Sequence, residues 1–165
     1  MEPDFRALQV LAEVSLGIVG FSAILIGLSR SKDGFSKPDN FRIQLLTFSA
    51  FGAMFCALLP FAIFNEDNLE IGWYIAGWAL CIYSIVGLLI FPPRVLKLRQ
   101  AGFKDLFPIQ IVTLQIGILI LNFSLSGLMV LDFIEQKNNI YLFCLILFVV
   151  QSTVAFIRTM FVRVK

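Results

Sequence analysis

Glu13 is the one acidic residue that lies inside a long apolar run of this sequence. It falls about six residues into the first run, which is roughly 9 Å along a helix at ~1.5 Å per residue. A carboxylate at that depth in a membrane reaches the surface, takes up a proton, or meets hydrogen-bond donors from other segments. Because such acids are candidates for function, our hypothesis is that Glu13 binds a proton, a cation or a polar substrate group.

The groups that would complete this site lie at a similar depth in neighbouring runs. They are Asn122 and Ser126 in the fourth run, Trp78 in the third, and Gln9 one turn before Glu13. Neither an amide nor a hydroxyl has a reason to face hydrocarbon, so we expect Glu13 to lie within side-chain reach of Asn122 or Ser126. In the alternative, the first run enters the membrane only at Val14, and Glu13 is exposed at the headgroups.

Small and polar residues recur at helical spacing in the first run. Gln9, Glu13, Gly17, Gly20 and Gly27 share one face. Glycines let a neighbouring backbone approach closely, which is how helices commonly associate in lipid. We therefore expect this face to pack against protein.

The fourth run carries such residues on two opposite faces. Gly117 and Gly127 lie on one face, whereas Gln115, Asn122 and Ser126 lie on the other. The pattern predicts helix packing at Gly117 and Gly127 and a helix with protein on both sides.

Basic residues cluster in the segment 92–108 and near the C-terminus. Arg94, Lys97, Arg99, Lys104 and Arg158 are predicted to meet lipid headgroups, Arg158 by extending its side chain to the membrane surface. The segment 92–108 reads either as a connection that sets topology, which we favour, or as a short amphipathic helix in the interface.

The sequence lacks the residues on which most catalytic and metal sites depend. The chain has no histidine, and its three cysteines all lie in apolar runs, where a thiol acts as a small hydrophobe. Phosphate-binding, dinucleotide-binding, zinc and nucleophile motifs are missing, and no two carboxylates pair within an apolar run. We expect no metal, no cofactor, no nucleic-acid partner and no enzymatic activity.

The elements that position these residues are five apolar segments at about 7–29, 43–64, 71–91, 109–131 and 140–160. Apolar residues make up 59% of the 165 residues, and the mean hydropathy is +0.89. Each segment approaches the ~20 residues that cross a bilayer as a helix. The sequence therefore predicts an all-α integral membrane protein, with residues 1–165 forming a single bundle of five transmembrane helices.

Charge on the alternating connections predicts the orientation. One side collects eleven basic and three acidic residues, and the other collects two basic and seven acidic residues. Since basic connections stay in the cytoplasm, the N-terminus is predicted outside and the C-terminus inside. The N-terminal residues lack the positive stretch of a cleavable signal, and the compact layout favours a bacterial inner membrane as the default location.

Three functions remain open. The first is a non-enzymatic protein that works in the bilayer as a homo-oligomer or with a membrane-protein partner, and we favour it because the connections are short and several runs carry small residues. The second is a transporter or channel for a proton, cation or small solute that uses the layer around Glu13. The third and least favoured is a lipid-modifying enzyme.

Overall fold

The structure is a computed structural model of the chain, and it describes residues 2–29, 36–64 and 68–161. These residues form five α-helices and no strand, and the helices are α1 (Phe5–Ser29), α2 (Lys37–Ile63), α3 (Leu69–Gln100), α4 (Ile109–Val130) and α5 (Lys137–Phe161). Each helix contains a stretch long and apolar enough to cross a membrane. The prediction of an all-helical chain with five such helices is confirmed for the residues described.

The largest difference from the predicted boundaries is at the end of α3. A stop was predicted at about residue 91, before Pro92 and Pro93, but the helix continues through both prolines to Gln100. A proline in a helix removes a donor and costs ~3 kcal/mol or more. Here the extension buries Val95, which packs with Phe91 and Phe107 in a hydrophobic cluster, and this burial offsets part of the cost.

The start of α2 also lies earlier than predicted, at Lys37 instead of about residue 43. Ser36 caps this helix, because its side chain accepts a hydrogen bond from the backbone N–H of Asp39 at 3.3 Å. Pro38 occupies the first turn, where its missing N–H leaves no helical bond unmade. The cap at Ser36 thus explains why α2 starts earlier than predicted and includes charged residues in its first turns.

The five helices do not all pack against one another. Helix α2 packs against α1, α3 and α5, while α4 packs against α3 and α5. Helix α1 packs against α2 and α5, and within the described residues it makes no extensive contact with α3 or α4. As a result, α2 and α5 lie between α1 and the pair formed by α3 and α4.

Two hydrophobic clusters fill the interior at opposite ends of the bundle. One contains Leu8, Trp73 and Tyr141, and the other contains Phe41 and Phe107. At the first end, the backbone N–H of Asp4 donates to the Asn138 side chain at 2.9 Å, which ties the start of α1 to the start of α5.

A close contact fixes α2 against α3. The Tyr83 ring crosses Gly52 so closely that a Cβ atom on Gly52 would lie 2.3 Å from Tyr83 Cε1. The hydroxyl of Tyr83 donates to the carbonyl oxygen of Phe48 at 2.6 Å. Only glycine leaves room for this ring and its hydrogen bond.

Candidate functional site

Glu13 lies on the outer surface of the bundle. Its carboxylate accepts a hydrogen bond from Gln9 Nε2 at 2.9 Å, and both side chains are exposed. The expectation that this face packs on the rest of the chain is wrong, because the buried face of α1 is formed instead by Leu8, Ala12 and Ser15. Glu13 and Gln9 do meet as expected, but on the outside.

The partners predicted for Glu13 lie elsewhere. Asn122 and Ser126 are fully buried on α4, and α2 and α5 separate that helix from α1. Trp78 on α3 is 43% exposed, and its ring contacts Tyr74 edge to face at 6.2 Å between centroids. The expected contact of Glu13 with Asn122, Ser126 or Trp78 is therefore not formed, because matching depth along the helices does not make α1 and α4 neighbours.

The glycines predicted to pack helices make no such contacts within the described chain. A Cβ atom on Gly17, Gly20, Gly27, Gly117 or Gly127 would meet nothing within 4 Å. The predicted packing inside the bundle is therefore wrong for these five positions, and packing on another chain stays a prediction. Tight helix contacts occur instead at Gly52, Gly72, Gly77 and Gly87.

The buried face of α1 has its own small residues, which sequence reasoning passed over. Ser15 and Ser22 are 0% and 3% exposed, and their hydroxyls donate to the carbonyls of Leu11 at 2.7 Å and Ile18 at 2.5 Å within the helix. Ala12, Ser15 and Ser22 recur at spacings of three and seven, as the glycines do. Two small-residue faces thus lie side by side on α1, and spacing alone could not tell which one faces protein.

Helix α4 has one buried polar face and one outer face. Gln115, Asn122 and Ser126 point into the bundle, at 8%, 0% and 0% exposure, whereas Gly117 lies on the outer surface. Neither amide atom of Asn122 has a hydrogen-bond partner among the described residues, and the same holds for both amide atoms of Gln151 on α5. The interior of the bundle therefore contains polar groups whose hydrogen bonds the described chain does not complete.

A second polar group, the arginine cluster, lies at the end where α2 begins and α5 ends. It consists of Arg42, Arg99 and Arg158, whose guanidinium groups converge on the connection between α3 and α4. Arg42 Nη2 donates to the Leu106 carbonyl at 3.2 Å, Arg158 Nη2 donates to the same oxygen, and Arg99 Nη1 donates to the Phe107 carbonyl. The Phe107 ring lies 5.4 Å from the Arg42 guanidinium carbon and 5.8 Å from that of Arg158.

The position of Arg158 corrects its predicted role. The side chain was expected to extend to the lipid headgroups, but it is 9% exposed and bound to the Leu106 carbonyl. Arg42 is 2% exposed and forms an ion pair with Asp39 at 3.5 Å. Carbonyls of a non-helical connection lack helical donors, so guanidinium groups that reach them hold the connection in place.

The remaining basic residues of this end are at the surface. Arg94, Lys97 and Lys104 are exposed, and Arg99 is half-buried by its bond to Phe107. Arg94 Nη1 also donates to Gln44 Oε1 at 2.8 Å. The exposed side chains of Arg94, Lys97 and Lys104 can meet headgroups if this end lies at a membrane surface, which stays a prediction.

A third polar contact lies within the first hydrophobic cluster. Pro60 has no N–H, so the carbonyl of Cys56 lacks its helical donor. The Tyr141 hydroxyl from α5 donates to that carbonyl at 2.5 Å, and Tyr141 is fully buried. The sequence marks the free carbonyl through Pro60, but only the packing of α5 on α2 supplies the donor.

Comparison with protein-family models, curated proteins and solved structures gives no match for this chain.

Proposed function

We propose that the chain is a multi-pass protein of a cell membrane, with its N-terminus outside and its C-terminus in the cytoplasm; a bacterial inner membrane is the default. The fold gathers basic residues at one end of the bundle: Arg42, Arg94, Lys97, Arg99, Lys104 and Arg158. At the other end lie Asp4, Glu70, Asp132 and Glu135. Since basic residues stay on the cytoplasmic side, this separation of charge supports the orientation.

In that membrane, we propose a non-enzymatic role as an oligomer or as a subunit of a larger assembly. The outer face of α1 is the observation that carries this proposal. Gln9, Glu13, Gly17 and Gly20 lie there, uncovered by any helix of the described chain. Exposing an amide and a carboxylate to hydrocarbon costs free energy, even when they are hydrogen-bonded to each other. Another helix packed on this face, where the glycines allow a close approach, would remove that cost.

Solute transport by one chain has less support from the geometry. The polar layer expected around Glu13 is split between the outside of α1 and the inside of α4. A pocket lined by residues of α2, α3, α4 and α5 offers a water-sized occupant only about 10 Å³. A solute pathway would therefore have to run between chains, which again requires an assembly.

Leucine substitutions on the outer face of α1 test the proposal. Gly17→Leu and Gly20→Leu should dissociate the assembly when its mass is measured by light scattering after size exclusion in mild detergent. Neither change should disturb the fold, because a Cβ atom meets nothing within 4 Å at either position. Ala62→Leu on α2 is the control, since it enlarges another exposed small residue for which no packing is predicted, and it should leave the mass unchanged. An assembly that survives both α1 substitutions would contradict the assignment of this face.

A further inference from the structure

An open groove lies on the surface of the bundle between α1 and α5. The two helices start at the same end, where the backbone N–H of Asp4 donates to the Asn138 side chain. The groove has a volume of about 410 Å³, within the ~300–1,000 Å³ that is usual for ligand sites. Most of its lining consists of aliphatic side chains from the two helices: Ala7, Val10, Leu11, Leu142 and Ile146.

Two charged residues, Asp4 and Arg6, complete the lining. They precede the aliphatic residues along the chain, so they lie at the end of the groove where α1 begins. Both side chains are exposed, and neither forms an ion pair within the described residues. Asp4 Oδ1 accepts a hydrogen bond from the Ala7 N–H at 3.0 Å, but a carboxylate has further acceptor sites. One end of the groove therefore offers a cation and an anion, and the rest of it is apolar.

We propose that this groove binds a phospholipid whose headgroup carries an amine. One acyl chain lies along the aliphatic side chains, the phosphate binds the Arg6 guanidinium, and the ammonium binds the Asp4 carboxylate. Arginine suits a phosphate because its planar set of donors can bind two oxygens at once. A headgroup with negative charge alone suits the site less, because it offers no cation to Asp4.

Lipid binding here rests on the proposed placement of the bundle in a membrane, which brings the lipids of one leaflet within reach of the groove. It does not rest on an assembly. The face of α1 that is proposed to bind another chain carries Gln9 and Glu13, and neither residue lines the groove. The competing occupant is a helix of another protein, which would exclude the lipid.

Photolabelling of the full chain in vesicles tests the proposal. The vesicles consist of phosphatidylglycerol with a trace of either phosphatidylethanolamine or phosphatidylglycerol that carries a diazirine in one acyl chain. Mass spectrometry then gives, for each labelled residue, the ratio of labelling by the ethanolamine probe to labelling by the glycerol probe. This ratio should be several-fold above one at Val10 and Ile146, which are 52% and 45% exposed. It should be near one at Leu58 and Ile75, which are 47% and 42% exposed but lie outside the groove.

Three results would contradict the proposal, and they differ in what they contradict. Ratios near one at all four residues would exclude a selective lipid site. Label at Leu58 and Ile75 but not at Val10 and Ile146 would show that another chain fills the groove. A chain that takes no label at any of the four residues would not be in the bilayer, which would overturn the proposed membrane placement and lipid binding with it.

Substitutions then assign the two headgroup contacts. Asp4→Asn keeps an acceptor for the start of α1 but removes the charge, so the ratio at Val10 should fall to near one. Arg6→Gln removes the partner of the phosphate, so labelling of Val10 by the ethanolamine probe should fall several-fold. Glu2→Gln is the control, because Glu2 is also exposed and acidic but does not line the groove, and it should keep the wild-type ratio. A wild-type ratio in Asp4→Asn would contradict an ammonium group held by Asp4.

Discussion

Tyr141 on α5 donates its hydroxyl to the carbonyl oxygen of Cys56 on α2, 2.5 Å away, and Pro60 is the residue that leaves this carbonyl without a helical donor. The proline and the tyrosine therefore form a matched pair across two helices. Both residues are buried, and Tyr141 belongs to the cluster that also contains Trp73, so the Tyr141 hydroxyl cannot bond to water instead.

The first prediction follows from this pair. Tyr141→Phe should lower the free energy of unfolding by about 1–3 kcal/mol, because it leaves a buried carbonyl without a donor. In a Pro60→Ala background, residue 60 supplies the helical N–H, so the same change should cost less. Reversible unfolding in mixed micelles, arranged as a double-mutant cycle, measures the difference. An equal loss of stability in both backgrounds would show that the Tyr141 hydroxyl does not replace the helical donor that Pro60 lacks.

The second prediction concerns the contact between α2 and α3. Alanine in place of glycine within a helix is normally favourable by about 1 kcal/mol. Gly52→Ala should reverse that sign, because the new Cβ atom would lie 2.3 Å from Tyr83 Cε1. Gly117→Ala, at an open position on α4, should be neutral or stabilising in the same unfolding assay. A stabilised Gly52→Ala variant would mean that Tyr83 does not cross α2 at this point.

The third prediction concerns the arginine cluster. Arg158→Met should destabilise the fold by about 1.5–3 kcal/mol, since it removes a charged donor from the Leu106 carbonyl. Hydrogen exchange of the backbone amides at 103–107 should also become faster than in the wild type. Arg94→Met removes an exposed arginine from the same end and should change stability by less than about 0.5 kcal/mol. Similar behaviour of the two variants would contradict a structural role for Arg158.

The fourth prediction tests the orientation. The native cysteines Cys56, Cys81 and Cys144 are 6% exposed or less, so they should not react with an impermeant maleimide in intact cells. A new thiol in Glu135→Cys should react from outside the cell, whereas one in Lys104→Cys should react only after the membrane is opened. Both positions are exposed. Labelling with the opposite pattern would invert the proposed topology.

The sequence predicted the five helices well because the length of an apolar run directly indicates the length of a helix that could cross a membrane. The stop expected at Pro92 was wrong. Proline disfavours a helix locally, but Phe91 and Val95 are buried beside Phe107 when the helix continues, and this tertiary contact outweighs the local effect. A helix can therefore continue past a proline when its next apolar side chains are buried in the core.

The candidate site was harder to predict, because it depends on which helices are neighbours. Glu13 and Asn122 have matching depths, yet α2 and α5 separate their helices. Spacing identified the small-residue face of α1 but could not choose between Gly17 and Ser15 as the residue facing protein. Arg158 looked like a headgroup ligand because the carbonyl that binds it, that of Leu106, is distant in sequence.

We expect the outer face of α1 to be covered by another protein chain in the membrane. Native mass spectrometry of the wild-type protein, released from membranes in mild detergent, measures this directly. We expect a protein mass that exceeds the 18.6 kDa of one chain, either as a multiple of it or as one chain with a bound partner. A mass of one chain alone, obtained also from preparations that retain native lipid, would contradict it.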